Sequence, residues 1–190
     1  MKKLASYCET SKNDRLNRTY HDKEYGFPVR TDSGLFERLV LEINQAGLSW
    51  NIILKKKDSF RSAFDNYDIL KISNYNENDR KRLLNNKEII RNRLKIDAVI
   101  KNASALRSIN ANCGSFASWL DSQGSLNHKE WVSLFRKKFF FTGPKIVNEF
   151  LLSTGYLSGA HSKNCPIYNE IKALNPPWMR ELNSCRFNPA

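Results

Sequence analysis

The sequence contains no long hydrophobic run. No apolar segment approaches the roughly 18 residues that a membrane-spanning helix needs, and residues 1–8 lack the apolar core of a secretory signal. We therefore expect an intracellular, cytoplasmic protein with no membrane partner.

Cysteine and histidine are scarce, with four cysteines and three histidines in 190 residues. The cysteines are Cys8, Cys113, Cys165 and Cys185, and no two of them form a Cys-x-x-Cys pair. Disulfides are uncommon in a chain without an export signal, so metal ligation or simple burial is the default expectation.

Segments of alternating apolar and polar residues are also missing, as are internal repeats and low-complexity tracts. Apolar residues instead recur at spacings of three and four, which is the helical pattern. We expect an all-α fold in a single domain, residues 1–190, made of two helical lobes. The polar residues 7–26 are expected to be irregular apart from a short helical segment that ends near Gly26.

Acidic residues are in deficit, because 19 Asp and Glu stand against 31 Lys and Arg. The net charge of +12 and the pI near 9.6 indicate a polyanionic partner. Nucleic acid is the most common such partner, and an acidic membrane surface is the alternative. The basic connector of residues 89–95 could face phosphates, although a charge run is more often a solvated face.

Residues 42–50 interrupt an otherwise apolar helical pattern. Glu42 follows three apolar residues, at or beside the buried face of a helix that begins near Asp32, and an unpaired carboxylate is rare there. Gly47 breaks the helix, and a second helix is expected from Ser49. The stretch is either a structural corner with a paired acid and Trp50 in the core, or one wall of a pocket.

Two Cys–His pairs lie near opposite ends of the chain, Cys8 with His21 and His161 with Cys165. Thiolate and imidazole are ligands that zinc prefers, and four of them complete a tetrahedral structural site. His161 and Cys165 are four residues apart, so a helical turn could direct both to one point. The alternative is two surface histidines and two buried cysteines, because the spacing is looser than Cys-x-x-Cys.

A glycine turn at residues 141–146 separates two helical segments. Thr142 or Gly143 can cap the second helix, and Pro144 fits its first turn without losing a hydrogen bond. The exposed N–H groups of such a helix start bind phosphate without reading sequence, and Lys145 adds a positive charge. The alternative is an ordinary capped turn between two helices.

Aromatic residues accompany the unusual acid. Glu42, an amide and the rings of Tyr20, Tyr25 and Trp50 could together sandwich a planar heterocycle, and a flipped nucleobase is such a ligand. The alternative is that these rings are core residues and that Glu42 is one paired acid.

Taken together, these features resemble the type I 3-methyladenine DNA glycosylases, a branch of the helix-hairpin-helix glycosylase superfamily. The resemblance covers residues 8–165, and its motifs occur in the family's order. They are Tyr20-His21-Asp22-x-Glu24-Tyr25-Gly26, Leu41-Glu42-x-x-Gln45-Ala46-Gly47-Leu48-Ser49-Trp50, Ile89-Ile90-Arg91, Phe141-x-Gly143-Pro144 and His161-x-x-x-Cys165.

The resemblance implies a bilobed all-α protein that binds double-stranded DNA across its cleft and flips an alkylated adenine into a pocket. Glu42, the catalytic residue, and Tyr20 would hydrogen-bond the edge of the base. Trp50 would stack on it, and Tyr25 and Gln45 would complete the base-binding set.

The resemblance also implies the DNA contacts and a cofactor. Gly47 and Leu48 would lie at the DNA edge of the pocket, with Leu48 filling the gap left by the flipped base. Thr142, Gly143 and Lys145 would hold the DNA backbone. One structural zinc ion would tie the chain ends together, through ligands at Cys8, His21, His161 and Cys165. We expect the protein to be a monomer.

The implied chemistry is hydrolysis of the N-glycosidic bond of 3-methyladenine. A base alkylated at N3 is a cation with a weakened glycosidic bond, so a carboxylate at Glu42 need only favour the charged base. Residues 157–161 offer no aspartate of the kind that other branches of the superfamily use on less labile bonds. No lysine stands out as a nucleophile, so we expect a monofunctional enzyme without lyase activity.

Three positions depart from the family pattern. Thr10 and Asn17 replace aromatic residues of the pocket wall, and Tyr25 replaces a tryptophan. The wall opposite Glu42 and Trp50 therefore has no predicted residue. Two other hypotheses remain: a non-catalytic binder of alkylated or abasic DNA that kept the pocket without turnover, and a general basic nucleic-acid-binding protein.

Overall fold

A computed structural model of the protein describes residues 6–124 and 126–180, and within these ranges all regular structure is helical. This confirms the predicted all-α class; Cys185 lies outside the described residues. No helix in the described ranges combines the length and apolar character that crossing a bilayer requires. The α-helices are α1 (Tyr7–Thr10), α2 (Arg15–Lys23), α3 (Asp32–Gln45), α4 (Trp50–Lys55), α5 (Lys57–Ala63), α6 (Ile69–Ser73), α7 (Glu77–Asn85), α8 (Arg93–Cys113), α9 (Phe116–Ser122), α10 (His128–Lys138), α11 (Pro144–Ser153) and α12 (Pro166–Ala173), with 3-10 turns at Ser11–Asn13, Asp65–Tyr67 and Pro177–Met179.

Helix α3 is the central element of the core. Thr31 caps its start by accepting a hydrogen bond from the Gly34 N–H at 3.2 Å, and Asp32 favours the positive end of the helix dipole. Every residue from 35 to 44 is buried, because α4, α8, α9 and α11 pack around this helix. A helix surrounded in this way carries Glu42 into the interior.

The break after α3 is confirmed, and so is the helix that follows it. Gly47 has a φ of +81°, a conformation that side chains with a Cβ rarely adopt. The Gln45 carbonyl accepts from the Leu48 N–H at 2.8 Å, and the Gln45 amide donates to the Leu48 carbonyl at 3.2 Å. Ser49 precedes α4, as the sequence predicts. Gln45 therefore fixes the shape of this turn from within.

Lys95 closes the carboxyl end of α3. Its ammonium group donates to the carbonyls of Asn44 at 2.8 Å and Ala46 at 2.7 Å, and the side chain is buried. These are carbonyls that a helix end leaves without intrahelical partners. The expectation that residues 89–95 face phosphates is therefore wrong for Lys95, whose charge points into the protein.

Helices α10 and α11 pack against each other and are joined by a tight turn. Gly143 is the N-cap of α11 and Pro144 its first residue, as predicted. The side chain of Asn102, fully buried on α8, accepts from the Phe140 N–H at 2.7 Å and donates to the Phe140 carbonyl at 3.1 Å. This paired bond holds the turn against the core, next to Phe141 with its φ of +60°.

The amino-terminal segment is more ordered than its polar composition predicts. Residues 7–23 form α1, a 3-10 turn and α2. Glu9 bonds back to the Ser6 N–H at 2.8 Å in a capping box, and Asp14 accepts from the Asn17 N–H at 2.9 Å at the start of α2. The expectation of an irregular segment is wrong because these caps stabilise helices too short to show a clear apolar period.

Candidate active site

A cavity of about 170 Å³ opens beside the carboxyl half of α3. It brings together the predicted residues Tyr20, Tyr25, Glu42, Gln45 and Trp50. Three more residues join them, Lys145 from the predicted DNA-binding set and two that the sequence analysis did not identify. The complete lining is Tyr7, Tyr20, Tyr25, Glu42, Gln45, Trp50, Lys145 and Glu149.

Four aromatic rings form most of the cavity wall. Trp50 meets Tyr20 edge-on, with ring centroids 5.1 Å apart and planes at 63°. Tyr7 meets Tyr25 in the same way at 5.0 Å and 72°. In an edge-to-face pair, one ring keeps both of its faces uncovered. The cavity is therefore suited to a planar ligand.

Glu42 is 5% exposed and lies at the inner end of the cavity. Among the described residues, no ion pair or hydrogen bond reaches its carboxylate. Its pKa is raised to about 8: burial is the largest cause, the nearby Glu149 acts in the same direction, and the positive charges of Arg38 and Lys145 oppose the shift. The alternative in which Glu42 is one paired acid is therefore not supported, because its carboxylate has no ion pair among the described residues.

Tyr20 contributes a hydroxyl group that has no protein partner in the described ranges, although the side chain is only 2% exposed. Behind its ring lies the Arg38 guanidinium, 4.9 Å from the centroid, and Arg38 is paired with Glu24 at 2.7 Å. Burial raises the pKa of Tyr20, so the hydroxyl keeps its proton. A buried hydroxyl without a partner costs free energy unless a ligand satisfies it.

Tyr7 is an aromatic residue of the cavity wall that the sequence analysis did not identify. Its hydroxyl donates to the Asn17 side-chain oxygen at 3.2 Å, while Thr10 is exposed and bonds back to Ser6. Asn17 therefore binds the hydroxyl of Tyr7 and contributes no aromatic ring of its own. The only signal in the sequence was that Tyr7 directly precedes the candidate metal ligand Cys8.

Glu149 is the second residue that the sequence analysis missed. It accepts a hydrogen bond from the Tyr25 hydroxyl at 3.1 Å and lines the cavity from α11. Lys145 stands one helical turn earlier on the same helix, and that i, i+4 spacing was the available signal. The stronger pattern in this segment is the apolar face of α11.

The four predicted metal ligands converge. Cys8, His21, His161 and Cys165 are all buried, and their ligand atoms lie within 4.8 Å of one another. The sulfur–nitrogen distances are 3.8 Å (Cys8 to His161), 3.7 Å (Cys165 to His21) and 3.5 Å (Cys165 to His161). Tetrahedral zinc with its usual bond lengths separates such ligands by about 3.6 Å, so the set fits the ion.

Hydrogen bonds behind the two histidines fix which nitrogen faces the cluster. His21 bonds Asp22 through Nδ1 at 2.7 Å, and this leaves Nε2 directed at Cys165. His161 bonds the Tyr25 carbonyl through Nε2 at 2.7 Å, and this leaves Nδ1 for the cluster. Such outer hydrogen bonds are typical of histidines that bind metals.

His161 and Cys165 do not share a helical turn, so that part of the prediction is wrong. They lie in a loop, and α12 begins only at Pro166. A residue that precedes proline is disfavoured in helical conformation, which is why the helix starts after Cys165. The loop still brings both side chains to one point, with the Cys165 N–H bonded to the Ser162 carbonyl at 2.9 Å.

The metal-ligand cluster and the cavity are neighbours along the chain. Tyr7 adjoins Cys8, Tyr20 adjoins His21, and the Tyr25 carbonyl accepts the hydrogen bond of His161. Three of the four aromatic rings in the cavity are therefore held close to the cluster. Whatever holds the cluster together also positions the cavity walls.

The candidate DNA-facing turns show which predicted groups are accessible. Thr142 is buried, and its hydroxyl donates to the Phe139 carbonyl at 3.0 Å, so its side chain stabilises the turn. Gly143 has open space beside its Cα. At the other turn Gly47 is exposed, whereas Leu48 packs partly against the core. Gly47, the backbone at Gly143 and the side chain of Lys145 are the accessible parts of the predicted set.

Comparisons with known proteins agree with this site. A family model described as methyladenine glycosylase matches residues 10–133. A DNA-3-methyladenine glycosylase of Haemophilus influenzae is 34% identical over 169 residues, covering 77% of this chain and 89% of that protein. DNA-3-methyladenine glycosylase 1 of Escherichia coli is 38% identical over 126 residues, covering 66% of each chain.

Solved structures give the same result. The structure of 3-methyladenine DNA glycosylase I from Staphylococcus aureus that describes 3-methyladenine recognition has a TM-score of 0.77 and 29% identity to this chain. The match covers 85% of this chain and 95% of that one. The resemblance seen in the motifs is confirmed, and the chain belongs to the methyladenine glycosylase family.

Proposed function

We propose that this protein is a DNA repair glycosylase that hydrolyses the N-glycosidic bond of 3-methyladenine. The observation that carries the proposal is the buried Glu42 carboxyl group, which has no ion pair among the described residues and lines a small aromatic cavity together with Trp50. Ligand pockets for drug-sized molecules are larger, about 300–1,000 Å³. A cavity of about 170 Å³ suits a single base.

The charge of the substrate explains the chemistry of the cavity. A purine alkylated at N3 is already a cation, and the positive charge favours the ionised form of Glu42 over the protonated form of the free protein. Charge-assisted hydrogen bonds from the base then hold it, and stacking on Trp50 adds about 0.5–2 kcal/mol. Neutral adenine offers no positive charge to offset the cost of ionising Glu42.

The reaction that follows is hydrolysis. A bond forms between the water oxygen and the sugar C1′, the glycosidic electron pair leaves with the base, which departs neutral, and the proton lost by the water passes to solvent. The departing base therefore needs no proton from the protein. Lys145 is the one lysine that lines the cavity among the described residues, so it is the residue to examine for strand cleavage.

Access to Glu42 requires that the base leave the duplex, because a buried carboxyl group cannot reach a stacked base. We propose that the α10–α11 turn binds the DNA backbone at that moment. The first N–H groups of α11 have no intrahelical partners, and the helix dipole favours a phosphate there. The net charge of +12 supports double-stranded DNA as the partner.

We further propose that the cluster of Cys8, His21, His161 and Cys165 holds one zinc ion. All four positions of a tetrahedral ion would be filled by protein, so its role would be structural. The cluster links residues near both ends of the described chain and supports three cavity rings.

The non-catalytic alternative loses its main support, because Tyr7 contributes an aromatic ring to the cavity wall, where Thr10 and Asn17 contribute none. The test is to incubate methylated duplex DNA with the protein and separate the products by chromatography. We expect free 3-methyladenine, uncut strands and no borohydride-trapped adduct. Binding to methylated or abasic DNA without base release would favour the binder, and a trapped adduct that Lys145→Ala abolishes would overturn the monofunctional assignment.

A further inference from the structure

Two carboxyl groups from different helices face the same cavity. Glu42 reaches it from α3 and Glu149 from α11. Glu149 is held in place by the Tyr25 hydroxyl, which donates to one oxygen at 3.1 Å, and by the Asn148 amide, which donates to the other at 3.3 Å. The proposed reaction uses one carboxylate, that of Glu42, so the presence of Glu149 needs a separate explanation.

Positive charge does not neutralise this pair. The Arg38 guanidinium lies behind the Tyr20 ring and is paired with Glu24. Lys145 lines the cavity from an exposed position, and no ion pair to Glu149 within 4.0 Å is found in the described ranges. The remaining groups that face Glu42 are the phenols of Tyr7, Tyr20 and Tyr25, which stay protonated.

A second observation concerns the polar groups beside the cavity. The Tyr20 side chain lines it, and the buried Tyr20 hydroxyl has no hydrogen-bond partner in the described part of the chain. A cavity with two acids, one unsatisfied hydroxyl and four ring faces is complementary to a flat cation. It is poorly matched to a neutral purine of the same shape.

We propose that Glu149 is a specificity-determining residue that makes the base site selective for purines carrying a full positive charge. This inference rests on the proposed function, and it names the substrate class of the site as cationic N-alkylated purines. Glu149 acts through its charge, while Tyr25 fixes its position. A bound cation is attracted by both carboxyl groups at once.

The test measures binding, which does not depend on base release. The probes are 3,9-dimethyladeninium, a permanent cation, and 3-methyladenine, which is neutral at pH 8.5. Quenching of tryptophan fluorescence gives the Kd of each for wild type and for Glu149→Gln, whose amide oxygen can still accept from Tyr25. We expect Glu149→Gln to weaken binding of the cation roughly tenfold or more, and binding of the neutral base less than about threefold.

Two further variants separate charge from structure. Glu170→Gln removes an exposed acid from α12 and should leave both Kd values unchanged. Tyr25→Phe keeps the ring and the Glu149 charge, so it should retain most of the preference for the cation. If Glu149→Gln destabilises the fold, Glu149→Ala also removes the charge, and Tyr25→Phe then serves as its control for the lost hydrogen bond.

The pH dependence of cation binding gives an independent readout. Loss of the Glu149 charge lowers the pKa of Glu42, so the rise in cation affinity with pH should move to lower pH in Glu149→Gln. Unchanged selectivity and an unmoved pH profile would overturn the proposal, as would Tyr25→Phe reproducing every effect of Glu149→Gln. A wild-type protein that binds the cation but releases no base would contradict the proposed function alone.

Discussion

At the scale of single residues, the central group of the site is an acid whose ionised form the fold does not stabilise. Glu42 is buried, lacks an ion pair in the described part of the chain, and has a pKa of about 8 in place of its usual 4.5. Ionising such a group in the free protein is costly. A cationic base would stabilise the ionised form, so we propose that this cost favours charged over neutral bases.

The first prediction concerns stability and pH. Because the Glu42 pKa is raised in the folded state, the unfolded chain loses this proton first as the pH rises above about 4.5. Folded wild type is therefore destabilised between pH 4.5 and 8, by up to about 1.4 kcal/mol for each pH unit. Glu42→Gln has no such proton. The free energy of unfolding of this variant should therefore exceed that of wild type by almost nothing below pH 4.5 and by the most above pH 8.

Thermal unfolding at pH 4.5, 6.5 and 8.5 measures this difference. For a domain of this size each kcal/mol corresponds to about 2–4 °C. Glu170→Gln, which removes an exposed acid, serves as the control and should show a small difference that does not vary with pH. A Glu42→Gln advantage that is constant over this range would contradict the pKa assignment.

The residues that the sequence identified and missed differ in a physical way. Glu42 was conspicuous because an acid within an apolar helix violates the burial pattern, and the Cys and His residues were conspicuous because they are rare. Tyr7 and Glu149 violate no local pattern. Their role depends on packing between α1, α2 and α11, which local periodicity does not encode.

At the scale of elements, the long helix α8 supports both candidate DNA-facing turns. Lys95 near its start bonds the carbonyls of Asn44 and Ala46, and Asn102, two helical turns later, bonds both backbone groups of Phe140. Both supports are buried polar side chains on one helix. We infer that α8 fixes the spacing of the two turns.

The second prediction tests the Asn102 support. Asn102→Ala removes two hydrogen bonds and leaves buried backbone groups unpaired, at a cost of about 1–3 kcal/mol in unfolding free energy. Binding to undamaged duplex DNA should weaken several-fold, while the Kd of free 3-methyladenine should stay unchanged because the cavity is not touched. Fluorescence anisotropy and urea unfolding measure the two effects.

Asn112→Ala, on the exposed part of the same helix, is the matched control and should alter neither DNA affinity nor stability appreciably. Equal loss of DNA binding and base binding in Asn102→Ala would mean that the turn and the cavity are not separable.

Helix positions were largely predictable from sequence because strong signals mark them. The glycine break at Gly47 and the proline at the start of α11 fall where expected. Residues 7–26 were not predictable, since α1 is one turn long and depends on the cap at Ser6, while α2 starts at a separate cap, Asp14. The inward direction of Lys95 was hidden as well, because a lysine in a basic run gives no sign of burial.

At the scale of the whole molecule, the Cys–His cluster connects distant parts of the chain. Cys8 and His21 come from α1 and α2, whereas His161 and Cys165 come from the loop before α12. Gly26 permits the close approach, since a Cβ there would lie 2.8 Å from the Ala160 Cβ and 3.2 Å from the His161 ring. The cluster thereby acts on stability and on the shape of the cavity together.

The third prediction concerns the metal. Wild type should contain about one zinc ion per chain, and Cys165→Ser should lose it together with several degrees of thermal stability. Because Tyr7, Tyr20 and Tyr25 depend on the cluster, affinity for free 3-methyladenine should fall in the same variant. Elemental analysis, thermal unfolding and tryptophan fluorescence provide the three readouts.

Cys113→Ser is the matched control, because Cys113 is a half-buried cysteine at the end of α8, outside the cluster. It should keep the metal, the unfolding temperature and the base affinity. Stoichiometric absence of metal from wild type purified without chelators would remove the zinc proposal and leave the cluster as a packing feature.

We propose that the buried carboxyl group of Glu42 drives excision of a cationic base from the cavity. The most direct test of this proposal is the single-turnover rate at which wild type and Glu42→Ala release 3-methyladenine from methylated duplex DNA at saturating enzyme. We predict release by wild type and a loss of at least about 100-fold in Glu42→Ala, since a charged hydrogen bond in a dry site contributes roughly 1.5–3 kcal/mol and the surrounding preorganisation adds to it. Equal rates for the two proteins, or no release by wild type, would contradict the claim.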